Sequence, residues 1–466
     1  MGVLTRMRAL TVGVALVLGL SSAPTVTVAE TLADTLVAAY QNSNLLDQQR
    51  ALLRATDEDV QRSIAALYPV ISFATSALTN NTSATDYQLQ FGFSASVPLI
   101  DFGRGRLGVD FARESVLSTR AALVVVEQNV LLNAVSAYMN LYSDLQTLQL
   151  QRNNVGVINE QLRAARERFE LGDSTRTDVA LAEARLAASR SALAAAEGDV
   201  AISREQYNLS VGRYPSAIAA PPRLPQLPPS LDVAQDIARR NHPAITQAQH
   251  QVTAADITTE QISRERFGTL DAGANVSRTT PRPPTSTRDV NASLTLSYNV
   301  QLYDGGRLRS AERQGVARAQ GQRANLHQTV AIVQESVASS WARLQIARAS
   351  LAAGDLQISA AQSAFDAVSA EAELGSRTTL DVLDAEQELL NARSARIVSA
   401  ANVQLAAYSL LSSMGQLTVQ ALNLGIPTYD VEAYSSGMRR GPAPVVRSEQ
   451  GDALDRIMGR HRVRDR

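Results

Sequence analysis

The sequence predicts a mostly α-helical protein with two strand pairs, written as two copies of one unit: helix, β-hairpin, long helical hairpin. Three observations carry this. First, a glycine turn between long Ala- and Leu-rich tracts occurs twice, as Glu170-Leu171-Gly172-Asp173-Ser174-Thr175-Arg176-Thr177-Asp178-Val179 and as Glu373-Leu374-Gly375-Ser376-Arg377-Thr378-Thr379-Leu380-Asp381-Val382. Second, a strand runs into Asp101-Phe102-Gly103-Arg104, and another into Asp304-Gly305-Gly306-Arg307. The offsets agree, since 375 − 172 and 304 − 101 both give 203. Third, the apolar period between these marks is two in the strands and helical elsewhere.

Composition narrows the function. The 466 residues carry a formal net charge of −1, which gives no cationic field for nucleic acid. There is no Cys, so disulfides, thiolate metal sites and Cys nucleophiles drop out. Lys is absent too, which removes a Walker-type phosphate lysine or a Schiff base. Arg6 and Arg8 precede an apolar run from Ala9 to Leu20 and then small residues to Ala29. This reads as a secretory signal over 1–29, the run being too short for a membrane helix. No later uncharged apolar run is long enough to cross a membrane as a helix.

The first repeat is expected over 30–213. Thr31 to about Leu67 is helix-patterned, and Pro69 ends it. Strands follow near 70–78 and 87–97; in the second, Tyr87, Leu89, Phe91, Phe93, Ala95 and Val97 alternate with small polar residues. The second repeat, 233–418, has strands near 269–278 and 290–300, with Val290, Ala292, Leu294, Leu296, Tyr298 and Val300 on one face. A strand of about 11 residues suits a tilted membrane crossing, and the small polar face suits a water-filled lumen. A half-buried soluble sheet shares this alternation. The helix from Gly103 to Leu171 would reach near 100 Å, so it needs comparable partners along its length. Its return carries Val179, Leu186, Leu193, Val200 and Tyr207 at heptad spacing; Val382, Leu389, Val403 and Leu410 repeat this, with Arg396 breaking the register. A Pro-rich linker covers 214–232, and 419–466 is expected as an equatorial segment and a disordered, Arg-rich tail.

These doubled marks, with the run Leu374-Gly375-Ser376-Arg377-Thr378-Thr379-Leu380-Asp381-Val382-Leu383-Asp384-Ala385, resemble the TolC-like outer-membrane efflux and secretion channels over roughly residues 30–418. The resemblance implies a homotrimer in outer-membrane lipid, each protomer giving four strands to one 12-stranded barrel above a periplasmic α-helical barrel. It implies a passive exit duct of a tripartite efflux or type I secretion system, with no cofactor. The partners would be a periplasmic adaptor and an inner-membrane RND or ABC transporter. The adaptor would dock at the hairpin tips, Leu171, Gly172, Leu374 and Gly375. Arg377 matches the arginine that holds the coils shut, Thr177 and Asp178 match its partners, and Asp381 and Asp384 match an acidic ring at the entrance. The family's gate tyrosine is Ala372 here, which implies an altered gate. Read without the resemblance, the same polar residues are helix caps and first-turn acids.

Rival readings are weaker. Gly103-Arg104-Gly105-Arg106-Leu107-Gly108 is a literal G-x-G-x-x-G, but no compact βαβ unit follows it. His242, His250, His327 and His461 form no metal pattern, with His242 and His250 expected on one helix. Trp341 is expected to pack. No nucleophile elbow or zincin signature is present, so no enzyme is expected. A trimeric coiled-coil surface protein is the alternative; it leaves the two strand pairs unexplained.

Overall fold

The computed structural model describes residues 29–81, 85–172, 174–282 and 289–431. The expected leader, the middles of both strand–strand turns and the Arg-rich tail lie outside the described residues. In chain order the elements are α1 (Leu32–Asn42), α2 (Asn44–Ala65), β1 (Val70–Asn81), β2 (Thr85–Ile100), α3 (Arg104–Glu170) and α4 (Arg176–Val211). The second half repeats them as α5 (Leu231–Asn241), α6 (Pro243–Arg264), β3 (Thr269–Arg282), β4 (Asp289–Asn299), α7 (Arg307–Glu373) and α8 (Thr379–Ser413). The copies agree in length: α3 and α7 both have 67 residues, and α2 and α6 both have 22.

The opening tract, expected as one helix, is two. Ser43 leaves helical geometry and its Oγ accepts from the Leu46 amide at 3.3 Å. In the second copy His242 occupies the matching break, ahead of Pro243, and its Nδ1 accepts from the Ala244 amide at 3.2 Å. A capped one-residue break barely disturbs the apolar period, so periodicity runs across it. His242 therefore does not share a helix with His250. Burial holds its imidazole below the ordinary value, which keeps it a neutral acceptor.

The four strands form one antiparallel sheet in the order β1-β2-β3-β4. Register sorts most of the side chains into two faces. Phe73, Phe93, Val276 and Ala292 lie in one row across the sheet, and Ile71, Ala95, Ala274 and Leu294 in another. The row between them, Ser72, Ser94, Asn275 and Ser293, belongs to the other face. One face is thus mostly apolar and open to the surroundings, interrupted by Arg278 in the row Thr75, Phe91, Arg278 and Val290, and the other is mostly small and polar. Three strands are longer than the alternation suggests, β1, β2 and β3 having 12, 16 and 14 residues, while β4 has the expected 11. Backbone pairing continues to Asn81 opposite Thr85, and β2 runs on through Pro98 with a register shift before Ile100.

The repeated Asp-x-Gly-Arg is the bend from strand to helix. Asp101 accepts from the amides of Gly103 at 2.9 Å and Gly105 at 2.6 Å; Asp304 does the same for Gly306 at 2.9 Å and Leu308 at 2.7 Å. Gly103 and Gly306 take φ of 82° and 89°, a region that disfavours side chains. Each carboxylate therefore caps the first turn of a 67-residue helix.

Below the sheet, α3 packs on α2 and α6, and α6 on α7; further down, α3 packs on α4 and α8, and α8 on α7. The helices thus lie side by side, α2–α3–α6–α7 above and α4–α3–α8–α7 beneath. The main core lies at the waist, with Leu131, Val135, Tyr138 and Leu141 of α3 fully buried beside Tyr207, Leu344 and Leu410. Here α3 does contain a stretch long and apolar enough to cross a membrane, contrary to the sequence expectation, yet half of it is buried inside the protomer. Trp341 packs against this core. The Pro-rich linker crosses it: Tyr138 donates to the Ala219 carbonyl at 2.8 Å, and Glu30 pairs its backbone with Ala217 and Ala219. Past Gly415 the chain stays docked through Val419, whose amide donates to Glu127 at 2.8 Å.

The heptad positions of both return helices face inward. Leu186, Val200 and Tyr207 are buried in α4, as are Val382, Leu389, Val403 and Leu410 in α8. Arg396 interrupts the second series opposite Gly354, where a Cβ added to the glycine would lie 3.9 Å from the Arg396 Cα, and its guanidinium runs out to Asp355 at 2.5 Å.

A Cβ at Gly105 would lie 2.3 Å from Leu67 Cδ2 and 2.7 Å from the capping oxygen of Asp101. At Gly108 it would meet only Gln261 Nε2, at 3.6 Å. Gly105→Ala is expected to destabilise the protein by about 1–2 kcal/mol, and Gly108→Ala to be neutral or mildly stabilising through helix propensity. Thermal unfolding followed by circular dichroism in detergent reads the difference.

Candidate functional site

The two hairpins end in matched tips. Gly172 and Gly375 take φ of 81° and 78°, closing α3 and α7 with the left-handed residue that lets the chain reverse. Thr175 and Thr378 then open α4 and α8 with complete capping boxes. The Asp178 side chain accepts from the Thr175 amide at 2.9 Å, and that of Asp381 from the Thr378 amide at 2.9 Å. These backbone bonds, reinforced by the threonine hydroxyls, hold both carboxyls below the usual range, so two acids stay charged at the tip. Leu171 and Leu374 are 77% and 87% exposed beside the glycines, an apolar pair pointing away from the protomer.

Arg377 lies at the tip and donates through Nε to Glu371 at 2.8 Å, within its own hairpin. Asp178 is turned back on Thr175 and Ser174. Thr177 is an exposed first-turn residue of α4. Ala372, three residues before the turn glycine, is buried, and its carbonyl accepts from the Gly375 amide at 3.1 Å.

One turn of helix higher, the hairpins meet. Arg185 of α4 donates to Asp384 of α8 at 2.5 Å, the ion pair that joins the two hairpins among the described residues. Other links stay within a hairpin, such as Arg166–Glu183 at 2.5 Å, Arg152–Glu197 at 3.4 Å and Arg393–Gln362 at 2.6 Å. Just beside the joining pair, Leu383 of α8 is buried among Ile158, Leu162, Ala165, Ala182 and Leu186 of the first hairpin. Glu386 follows, 7% exposed, with Oε2 out of reach of any hydrogen-bond partner.

Of these residues, the sequence singled out Asp384, for an acidic ring at the entrance rather than for this pair, and did not single out Arg185 or Glu386. Arg185 sits in Ala184-Arg185-Leu186 and looks like any solvent-facing charge; its partner comes 199 residues later. Glu386 did leave a signal. It falls between Leu383 and Leu390 at helical spacing, a charge in an apolar stripe.

A family profile described as outer membrane efflux protein matches residues 35–213 and 235–443, most of the chain and both repeats. The chain belongs to the outer membrane efflux protein family. It is 34% identical to the outer membrane efflux protein BepC of Brucella suis over 413 residues, 88% of this chain and 91% of BepC. It is 25% identical to the alkaline protease secretion protein AprF of Pseudomonas aeruginosa, covering 88% of this chain and 86% of AprF. The fold is that of the Vibrio cholerae outer membrane protein VceC, with a TM-score of 0.71 at 18% identity, over 82% of this chain and 96% of VceC. This outer membrane efflux protein is therefore an outer-membrane exit duct for efflux or type I secretion, with its long helices in the periplasm. The coiled-coil surface-protein alternative gives way to it.

Both partners of the Arg185–Asp384 pair are more than a third exposed. A double-mutant cycle with Arg185→Ala and Asp384→Ala should give a coupling of about 0.2–1 kcal/mol, shrinking in high salt. Denaturant unfolding of the purified protein measures it.

Proposed function

We propose that this outer membrane efflux protein works as a homotrimeric conduit that performs no chemistry, with a gate and an adaptor-docking surface at the hairpin tips. The observation carrying the assembly is where the protomer is unfinished. The sheet has free edges at β1 and β4. Every helical Leu or Ile more than half exposed among the described residues lies on a flanking helix. These are Leu45 and Leu52 on α2, Ile202 and Leu209 on α4, and Ile332, Ile346 and Leu356 on α7. Both flanks therefore need neighbours. Four strands cannot close a membrane barrel, since the smallest known have about eight, and three copies supply the 12 that the family resemblance implies.

In such a ring the hairpin tips would converge below. Asp381 and Asp384, three copies of each, would line the entrance and favour cations. Arg185–Asp384 and the buried Leu383 hold the second hairpin against the first, and Arg377, Thr177 and Asp178 would complete the closing contacts at the tip. The exposed Leu171 and Leu374, each beside its turn glycine, would receive the periplasmic adaptor. The adaptor would couple the duct to an inner-membrane RND or ABC transporter, which supplies the energy.

Single-channel conductance in a planar bilayer tests the gate. Wild type should pass a small, cation-preferring current, and Arg185→Ala a larger one, by about two-fold or more if the seam is the latch. A rise in Arg377→Ala alone would put the latch at the tip. Unchanged current in both, from verified trimers, would remove the gate from these residues.

A further inference from the structure

We infer that Glu386 is a proton-controlled wedge in the seam between the two helical hairpins: neutral, it allows the seam to close, and ionised, it drives the hairpins apart. This rests on the gate proposed above and adds a regulatory input to it.

The geometry is specific to this side chain. Glu386 lies on the α8 face that carries Leu383, three residues before, and Leu390, four residues after, and all three are buried. Leu383 is inserted into the first hairpin, while Leu389 and Ala392 pack with Ala361 of α7. Glu386 therefore stands where the contact between hairpins passes into the contact within the second one. It is the only acidic side chain among the buried residues of α8, and its Oε2 has neither solvent nor a donor.

The neighbouring charges are engaged elsewhere. On α8 itself, Asp384 binds Arg185 and Glu388 binds Gln357, while Arg393 binds Gln362; its cationic field favours the ionised form of Glu386 without touching it. On α7, Asp366 accepts from Gln362, and on α3 and α4 Arg166 pairs with Glu183. Burial dominates and pushes the Glu386 carboxyl up to about 7.

The sign follows from linkage. In an opened seam the carboxyl is hydrated and titrates near its ordinary value of 4.5; in the closed seam it titrates near 7. The closed state thus holds more protons. It is fully favoured below about pH 4.5, loses favour as pH rises towards 7, and is constant above that. The shift corresponds to a change in the closed-to-open ratio of at least about tenfold per protomer between pH 5 and pH 7.

The absence of Cys makes the test direct. Nitroxides at Glu170→Cys and Glu373→Cys, on the exposed ends of α3 and α7, report hairpin separation by pulsed electron paramagnetic resonance in folded oligomers. Wild type should shift towards the longer distance between pH 5 and pH 7. Glu386→Gln, and Glu386→Leu as a second variant suited to the apolar seam, should stay at the short distance throughout. The inference is overturned if wild type shows no pH response, or if both variants keep it. Conductance recorded alongside separates the two readings: distances that follow pH while the current does not would uphold the wedge and overturn the gate.

Discussion

A strand in lipid has no water to satisfy its backbone, so an open sheet edge there is costly enough to forbid. The whole molecule follows from that constraint. The sheet presents an apolar face of Phe, Leu, Val and Ala and two unpaired edges at β1 and β4. A protomer of this shape leaves both edges open, and the proposed ring would close them. The flanking helices repeat the message in another chemistry, exposing Leu209 at 88% and Leu356 at 74% where the interior helices keep their large apolar residues better covered. Hydrogen bonding above and hydrophobic burial below thus point to the same lateral neighbours.

Much of this was legible in the sequence because the signals were doubled. Asp101 and Asp304 occur in the same local frame, and so do Gly172 and Gly375; each pair performs one physical task, capping a bend or reversing a chain. Alternation placed the strand faces correctly, since register must put one set of side chains in lipid. Periodicity failed where local capping competes with it, at Ser43 and His242. It also fell short at the strand ends, where Asn80 and Asn81 keep pairing although their residue types suggest a turn. The G-x-G-x-x-G match dissolves into packing, because Gly103 supplies a positive φ and Gly105 makes room for Leu67. At the tip, the caps were readable but the seam was not: Arg185 meets Asp384 only because two hairpins distant in sequence lie together.

The tip combines two kinds of polar interaction with opposite sensitivities. Arg185–Asp384 is solvent-facing, inexpensive to break and screened by salt. Glu386 is buried with Oε2 unpartnered, so its state depends mainly on protons. The remaining cohesion is apolar, with Leu383 seated among five residues of the first hairpin. A seam built this way is held by a few small, separable contributions, which would suit the opening and re-closing proposed for it.

The equal lengths of α3 and α7, 67 residues each, also act as a ruler. Both start from an Asp-capped bend at the foot of the sheet, so their ends arrive at one depth. One residue gained in either helix would lower that tip by about 1.5 Å and turn everything beyond it by about 100°. Asp384 would then no longer face Arg185. Chain length is free to change in the turns between strands, where the second copy is the longer, but in the helices only matched heptads could be gained or lost. The reach of the duct is thus quantised by its own seam.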